Sequence, residues 1–450
     1  MRQRLGVLSI SLCLLVLMLV MPACAPATPQ VVEKQVIQTV VVEKVVEKVV
    51  KETVVVKAEQ KWEDWQYIKI GSPGPFTGPN AGIGLDVKDG LTLAVEKMNA
   101  KGGVLGKPVQ TYFADIKSQS SEECELAFES LNRENAVAFF PGANFIGTAC
   151  VQAAGVREQP TFHDCASKEY VDMVLANLPK YGNVFQMCAS ERYYGPNAFE
   201  VLTTKLGYTF PNKKAALLGG NITYDMYIQK AFKEAAIKAG WEIILDDTYP
   251  YDNTEFGPQL AKIRAEKPSI IFGCLTSQPS SVAFMNQFLQ NPTNSLVYIQ
   301  WSPASPEFIT TLQDKANGVV WQTLVATLPN AENKAWEKEF QTRFGRVPGA
   351  TLPAVVDDHL NIWKTAVESC KSPVAYDCIN KYINTLQDHP YKGKVGRYGM
   401  NVDMKGYEAL AGNDWIPLHF LQIQNKANLT LFLGLTPVEG TKFTVPPWIK

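Results

Sequence analysis

Two stretches of this 450-residue chain combine residue types that do chemistry. The first is GPFTGPNAGIG, Gly74 to Gly84, directly after the strand-like run Tyr67-Ile68-Lys69-Ile70. A glycine-rich turn between a strand and a helix presents backbone amides to an anion. A phosphate loop needs Gly-x-x-x-x-Gly-Lys-Ser/Thr, with a lysine against the phosphates. Here no lysine or arginine follows until Lys88, inside the helix pattern. The dinucleotide fingerprint Gly-x-Gly-x-x-Gly is not met by Gly71, Gly74 and Gly78, and Gly82 and Gly84 lack the third glycine. The turn is therefore read as a contact for a carboxylate or polar ligand, with Thr77 and Asn80 as its candidate side chains, or else as a purely structural turn. The second stretch is His163-Asp164-Cys165. Neighbours on a strand point to opposite faces, so the three form no nucleophile and base pair. Neither HExxH nor GxSxG occurs, and an enzyme is not expected. No cofactor and no metal site is implied.

The N-terminus sets the compartment. Met1-Arg2-Gln3-Arg4 is a basic start, and Leu5 to Met21 is an apolar run ending in Pro22-Ala23-Cys24, which reads as an export signal over residues 1–23. The small residue before Cys24 resembles a bacterial lipoprotein signal, which would make Cys24 the lipidated first residue; an uncleaved transmembrane anchor is the alternative. Both place the bulk of the chain outside the cytoplasm. Disulfides are permitted there. Apart from Cys13 and Cys24 the cysteines are Cys124, Cys150, Cys165, Cys188, Cys274, Cys370 and Cys378, none in a CxxC or zinc-like spacing. Cys370 and Cys378 flank a helix-to-helix connection and are the first candidate pair; Cys165 and Cys188, each ending a strand-like run, are the second.

A net charge of −1 argues against nucleic acid as a partner. Residues 30–58 repeat Val-Val-Glu-Lys without a clean period of two or seven. This segment reads as a stalk within 24–64; if flexible, about 40 residues hold the folded part roughly 35 Å from the membrane. A coiled coil is the other reading. From Trp65 onward strands alternate with helices: Ile68 to Gly71, a helix carrying Val87, Leu91, Val95 and Met98, Val109 to Ala114, a helix from Ser120 to Asn132, then strands at Ala136 to Phe140, Thr161 to His163 and Val184 to Gln186. A second run starts at Ala215 and ends with strands near Leu418 to Ile423 and Leu429 to Leu433. This order predicts α/β architecture, two doubly wound parallel-sheet lobes. GPNA at Gly78 to Ala81 recurs at Gly195 to Ala198, each time opening a helix, so both copies are expected to face one cleft.

The stretch IKIGSPGPFTGPNAGIGLDVKDGLTLAVEKMNAKGGVLGKPVQTYFAD, with TEFGPQLAKIRAEKPSIIFG further on, resembles the leucine/branched-chain amino acid type of periplasmic binding protein, the receptor of an ABC importer. The resemblance runs from about Ile68 to Leu433. It implies a type I periplasmic binding protein fold, with lobe 1 at 65–188 and 326–391, lobe 2 at 189–325 and 392–450, and three crossings near Ala189, Val325 and Lys392. It also implies a small ligand between the lobes (an amino acid, an amide or a small carboxylate), permease subunits as partners and membrane attachment through the lipid. A receptor for signalling rather than import is the alternative.

Carried over position by position, the resemblance places Asn144 and Ser167 on the ligand's carboxylate and ammonium, Tyr224 as a ring covering it, and Thr276 and Trp301 at further strand ends. Two features depart from the family. The loop Trp301-Ser302-Pro303-Ala304 lacks the acid that pairs with a ligand ammonium, leaving Asp225, Asp357 or Asp358 as substitutes, and Ile83 stands where the family has an aromatic ring. Arg192 is a candidate partner for a ligand carboxylate, or else a surface ion pair.

Overall fold

The computed structural model describes residues 61–450 apart from 79, 118–119 and 144–147. The export signal, Cys24, the Val/Glu/Lys repeat and Asn144 lie outside the described residues.

Short runs of β-branched and aromatic residues form strands, and segments of helical period between them cover the sheets. In chain order the first half contains β1 (Ile68–Gly74), α1 (Ala81–Ala100), β2 (Val109–Asp115), α2 (Ser121–Arg133), β3 (Phe139–Gly142), α3 (Ala149–Gly155), β4 (Thr161–His163), α4 (Lys168–Ala176), α5 (Leu178–Tyr181) and β5 (Val184–Gln186). These strands build one parallel sheet in the order β2-β1-β3-β4-β5. Ser120 starts α2 with a capping box, its hydroxyl accepting from the Glu123 amide.

The second half contains α6 (Tyr194–Glu200), β6 (Lys214–Gly220), α7 (Thr223–Lys238), β7 (Glu242–Tyr249), α8 (Gly257–Glu266), β8 (Ile270–Cys274), α9 (Gln278–Phe288), β9 (Leu296–Ile299), α10 (Pro306–Leu312) and β10 (Val320–Thr323). There follow α11 (Ala331–Phe344), α12 (Leu352–Cys370), α13 (Tyr376–Asn384), the paired β11 (Tyr391–Lys392) and β12 (Arg397–Tyr398), then β13 (His419–Gln424), β14 (Ala427–Leu433) and β15 (Thr436–Pro437). The second sheet has the order β15-β14-β13-β10-β9-β8-β6-β7. The sequence predicts a parallel sheet, but this one is mixed: β13 runs antiparallel to β10, and β14 and β15 continue antiparallel. Two residues, Asn425 and Lys426, both at positive φ, turn β13 into β14, and a connection that short permits only a hairpin.

β8 and β9 are buried along their whole length, the pattern of strands covered on both faces. Phe232 of α7 stacks on Phe272 of β8 at 3.9 Å, and Phe272 on Tyr298 of β9 at 4.3 Å, so one column of rings ties helix to sheet. In the first sheet Phe140 stacks on Phe162, with Trp363 of α12 edge-on to Phe140. The α12 helix thus covers the first sheet although it follows β10 of the second, and the chain returns to the second sheet at β13.

Two expectations are corrected. Gly195 of the second GPNA is buried: a Cβ there would stand 2.5 Å from the Phe232 backbone nitrogen, so the glycine serves the close approach of α6 to α7 rather than a cleft. Cys165 and Cys188 are buried and are not bridged to each other, while Cys124 pairs with Cys150 and Cys370 with Cys378. β4 and β5 are adjacent, but their two cysteines turn to separate acceptors, the Gly142 carbonyl for Cys165 and the Asp164 carbonyl for Cys188.

Candidate functional site

In an open α/β sheet the helices leaving the carboxyl ends of two neighbouring strands diverge where the strand order reverses, and a crevice opens there. The first sheet reverses between β1 and β3, the second between β6 and β8. The carboxyl ends of both sheets meet at one cavity of about 280 Å³. The first sheet contributes Pro75, Asn80 and Ile83 after β1, Ala143 after β3, and Asp164 to Ser167 with Glu169 and Tyr170 after β4. The second contributes Asn221 to Tyr224 after β6, Tyr251 after β7, Thr276 after β8 and Trp301 after β9, and Tyr194 of α6 completes the wall.

Of the residues expected from the sequence, Asn80, Ser167, Tyr224, Thr276 and Trp301 are together in this lining. Thr77 is not. Its hydroxyl donates to Asp115, whose other oxygen accepts from the Phe76 amide at 2.9 Å. Partial burial works to raise the Asp115 pKa, but the bonds from Thr77, Lys117 and Phe76 hold it below the usual carboxylate range. Thr77 therefore fastens the turn to β2. Ile83, in place of an aromatic ring, does border the cavity.

The described lining side chains are set by bonds behind them. Tyr224 accepts at its hydroxyl from Gln300 Nε2 at 2.8 Å, leaving its ring toward the cavity. Tyr194 accepts at its hydroxyl from the Leu324 amide at 3.1 Å, and the two rings stand 6.0 Å apart, edge to face. Thr276 donates to both oxygens of Asp225, at 2.8 and 2.9 Å. Trp301 has φ 67° and ψ −49°, a left-handed conformation costly for a bulky residue, held where β9 ends. The hydroxyl of the next residue, Ser302, anchors it by donating to the Leu275 carbonyl at 2.8 Å.

The three proposed substitutes for the missing acid lie outside the lining. Asp225 is fully buried; burial drives its pKa well above the usual range against the bonds from Thr276 and Gly220. Asp358 accepts from the amides of Lys394 and Val395, and Asp357 pairs with the Lys394 ammonium at 2.9 Å. Burial raises Asp358 to about 6 although Lys394 pulls it down. Arg192 is likewise outside the lining, donating to Glu408 at 2.8 Å and to the Ser190 hydroxyl at 2.9 Å. The charged lining groups are Asp164 and Glu169; no lysine, arginine or histidine is among the described lining residues. Sequence reasoning missed Tyr194, Asn221, Tyr251 and Asp164 as lining residues. Asn221, Tyr251 and Asp164 sit just past predicted or observed strands, and position after a strand end was the signal available.

The family model for the periplasmic binding protein matches residues 67–403. The chain belongs to the periplasmic binding protein family. Members of this family are solute-binding proteins rather than enzymes. Leu/Ile/Val-binding protein BraC3 of Rhizobium johnstonii is 24% identical over 205 residues, 46% of this chain and 53% of its own. The chain thus spans about half the length of the curated relatives it matches. Among solved structures, a branched-chain amino acid ABC transporter protein from Silicibacter pomeroyi superposes with a TM-score of 0.73 at 26% identity, covering 85% of this chain and 100% of that one. The R. palustris solute-binding protein in complex with benzoate has a TM-score of 0.66 at 17% identity, covering 83% and 97%, and shares the fold. Among the described residues no helix is long and apolar enough to cross a membrane.

Proposed function

We propose that this periplasmic binding protein is the extracytoplasmic receptor of an ABC importer, tethered to the membrane through a lipid on Cys24 and presenting its ligand to permease subunits. The observation that carries the reading is the cavity at the carboxyl ends of two sheets, with walls drawn from both. We take lobe 1 as 65–188 with 326–391 and lobe 2 as 189–325 with 392–450; the return of α12 to the first sheet and of β13 to the second supports that division.

Such a receptor works by differential affinity. A ligand that touches both walls binds the closed form better than the open form, and the transporter senses the resulting shape. A lipid tether keeps the receptor concentrated near its transporter without a tight complex. The relatives and neighbours are named for leucine, isoleucine and valine or are solved with benzoate. The acid that would follow β9 to meet a leucine ammonium is absent here, and Asp225, Asp357 and Asp358 are committed elsewhere, so the acids of the lining are Asp164 and Glu169.

A thermal-shift screen of amino acids, amides, urea, small carboxylates and small amines tests the reading. A hit at a hundredfold excess over its Kd raises stability by about 2.7 kcal/mol. If no compound in the screen raises the Tm, the receptor reading fails. Intact mass of the protein extracted from membranes tests the anchor: a chain beginning before Cys24 overturns it.

A further inference from the structure

We propose that Glu191 is a positioning residue: its carboxyl group fixes the ligand-contact loop Cys165–Ser167 to the segment that carries the chain from the first sheet to the second, so that ligand binding and closure are coupled through it. This rests on the receptor reading above. The segment runs from the end of β5 at Gln186 to Tyr194, where α6 begins and packs on α7. A change in the angle between the sheets is absorbed in connecting residues of this kind. Two neighbours of Glu191 are pinned there. The buried Glu408 carboxylate accepts from the Ser190 amide at 2.6 Å and from Arg192 Nη2 at 2.8 Å. Glu408 sits in a segment paired beside β5, the Ala409 amide donating to the Gln186 carbonyl at 2.9 Å.

Glu191, between the two pinned residues, reaches back to the cleft. Its amide donates to the Ala166 carbonyl at 3.0 Å, and its Oε2 accepts from the Lys168 amide at 2.6 Å. The Ser167 amide, between these two bonds, donates to Gln186 Oε1 at 3.1 Å. Cys165, Ala166 and Ser167 line the cavity, and α4 starts at Lys168. Glu191 is itself buried and outside the lining, so it acts through the loop and not on the ligand. Its charge tunes the grip, because a carboxylate accepts from an amide more strongly than a neutral acid or carboxamide does. Burial, with Glu408 adding to it, raises the carboxyl to about 7 against the Lys168 amide and Arg192. The Cys188 thiol, raised by its own burial, lies near both acids, and the Lys168 ammonium is turned to Asp172. Ionisation as pH rises through about 7 tightens the bond to Lys168 and with it ligand binding; by linkage, binding releases part of this proton.

The test compares full-length wild type, Glu191→Ala and Glu191→Gln. Hydrogen exchange without added ligand should run about tenfold faster at Ser167 and Lys168 in Glu191→Ala, with Glu191→Gln close to wild type and α8 unchanged in all three. Titrations with L-leucine, with benzoate and with the strongest compound of the thermal-shift screen follow, at pH 6 and pH 8. Glu191→Ala should bind about tenfold more weakly at both pH values. Wild type should bind about threefold more tightly at pH 8 than at pH 6, and Glu191→Gln should show no such gain. The bound probe should also slow exchange over 187–193 in wild type and not in Glu191→Ala. Equal exchange in all three proteins, or a Glu191→Gln affinity that follows pH as wild type does, overturns the proposal. If Glu191→Ala fails to fold, the Glu191→Gln profile decides. Either overturning result with binding intact in wild type defeats this inference alone; failure of every screened compound to bind wild type defeats the receptor reading.

Discussion

The Glu307 carboxylate lies against the backbone of Gly82: a Cβ added at Gly82 would stand 2.5 Å from Glu307 Cδ and 2.6 Å from each oxygen. Gly82 is in the first turn of α1, which leaves the first sheet, and Glu307 is in α10, which leaves the second. The contact therefore crosses the mouth of the cleft. The Asn80 side chain caps no amide of α1, so a carboxylate from the other side meets a positively polarised helix start.

If this contact helps hold the lobes together, Gly82→Ala displaces Glu307 and weakens closure. A charge at a helix end contributes about 0.3–1 kcal/mol, so apparent ligand affinity should fall by roughly two- to fivefold with little change in Tm. Glu307→Ala should do the same, and the double variant should be no worse than either single one, because both remove one interaction. Titration calorimetry on all three variants checks this; additive losses would show that the two residues act separately.

The cysteine pairing predicts a labelling pattern. Alkylation of denatured, unreduced protein should mark Cys165, Cys188 and Cys274 and spare Cys124, Cys150, Cys370 and Cys378. Losing a native disulfide in an exported domain typically costs about 2–5 kcal/mol, so Cys124→Ala with Cys150→Ala should lower the Tm measurably.

Glu191 predicts a pH dependence. Burial, with Glu408 adding to it, raises its carboxyl to about 7 against the Lys168 amide and Arg192. The folded state thus binds this proton more tightly than the unfolded state. Its contribution is fully present below the unfolded value near 4.5 and is lost as pH rises through about 7. Buried His163 and His419, each lowered to about 3 by desolvation, act in the opposite sense below pH 6.5, so the difference between variants is the clean observable. Glu191→Gln should gain stability relative to wild type between pH 5 and pH 8; melting curves at both pH values decide it, and a constant difference would contradict the assignment.

Much of the scaffold was legible because hydrophobic period carries it. Thr161–His163 and Val184–Gln186 appear with the bounds that the pattern suggests. The site was legible only where a residue follows a recognisable strand, as Thr276 and Trp301 do. Tyr194 escaped because it reaches the cleft from α6, beside a glycine whose motif pointed to the wrong role. The Cys124–Cys150 bridge escaped because it joins α2 to the short α3, and a seven-residue helix of small residues has too little period to be seen. Asp164 was visible only as part of a dismissed catalytic adjacency; its shielding and its place on the cavity are properties of the assembled fold.

The most direct measurement is isothermal titration of a thermal-shift hit into wild-type protein and Trp301→Ala. Removing the ring deletes apolar contact of about 1.5–3 kcal/mol if it is buried by ligand, which is tenfold or more in Kd. The account predicts one saturable site per chain in the wild type and at least a tenfold loss in Trp301→Ala with the fold retained. Absence of saturable binding, or an affinity that Trp301→Ala leaves unchanged, would contradict a ligand held between the two sheets.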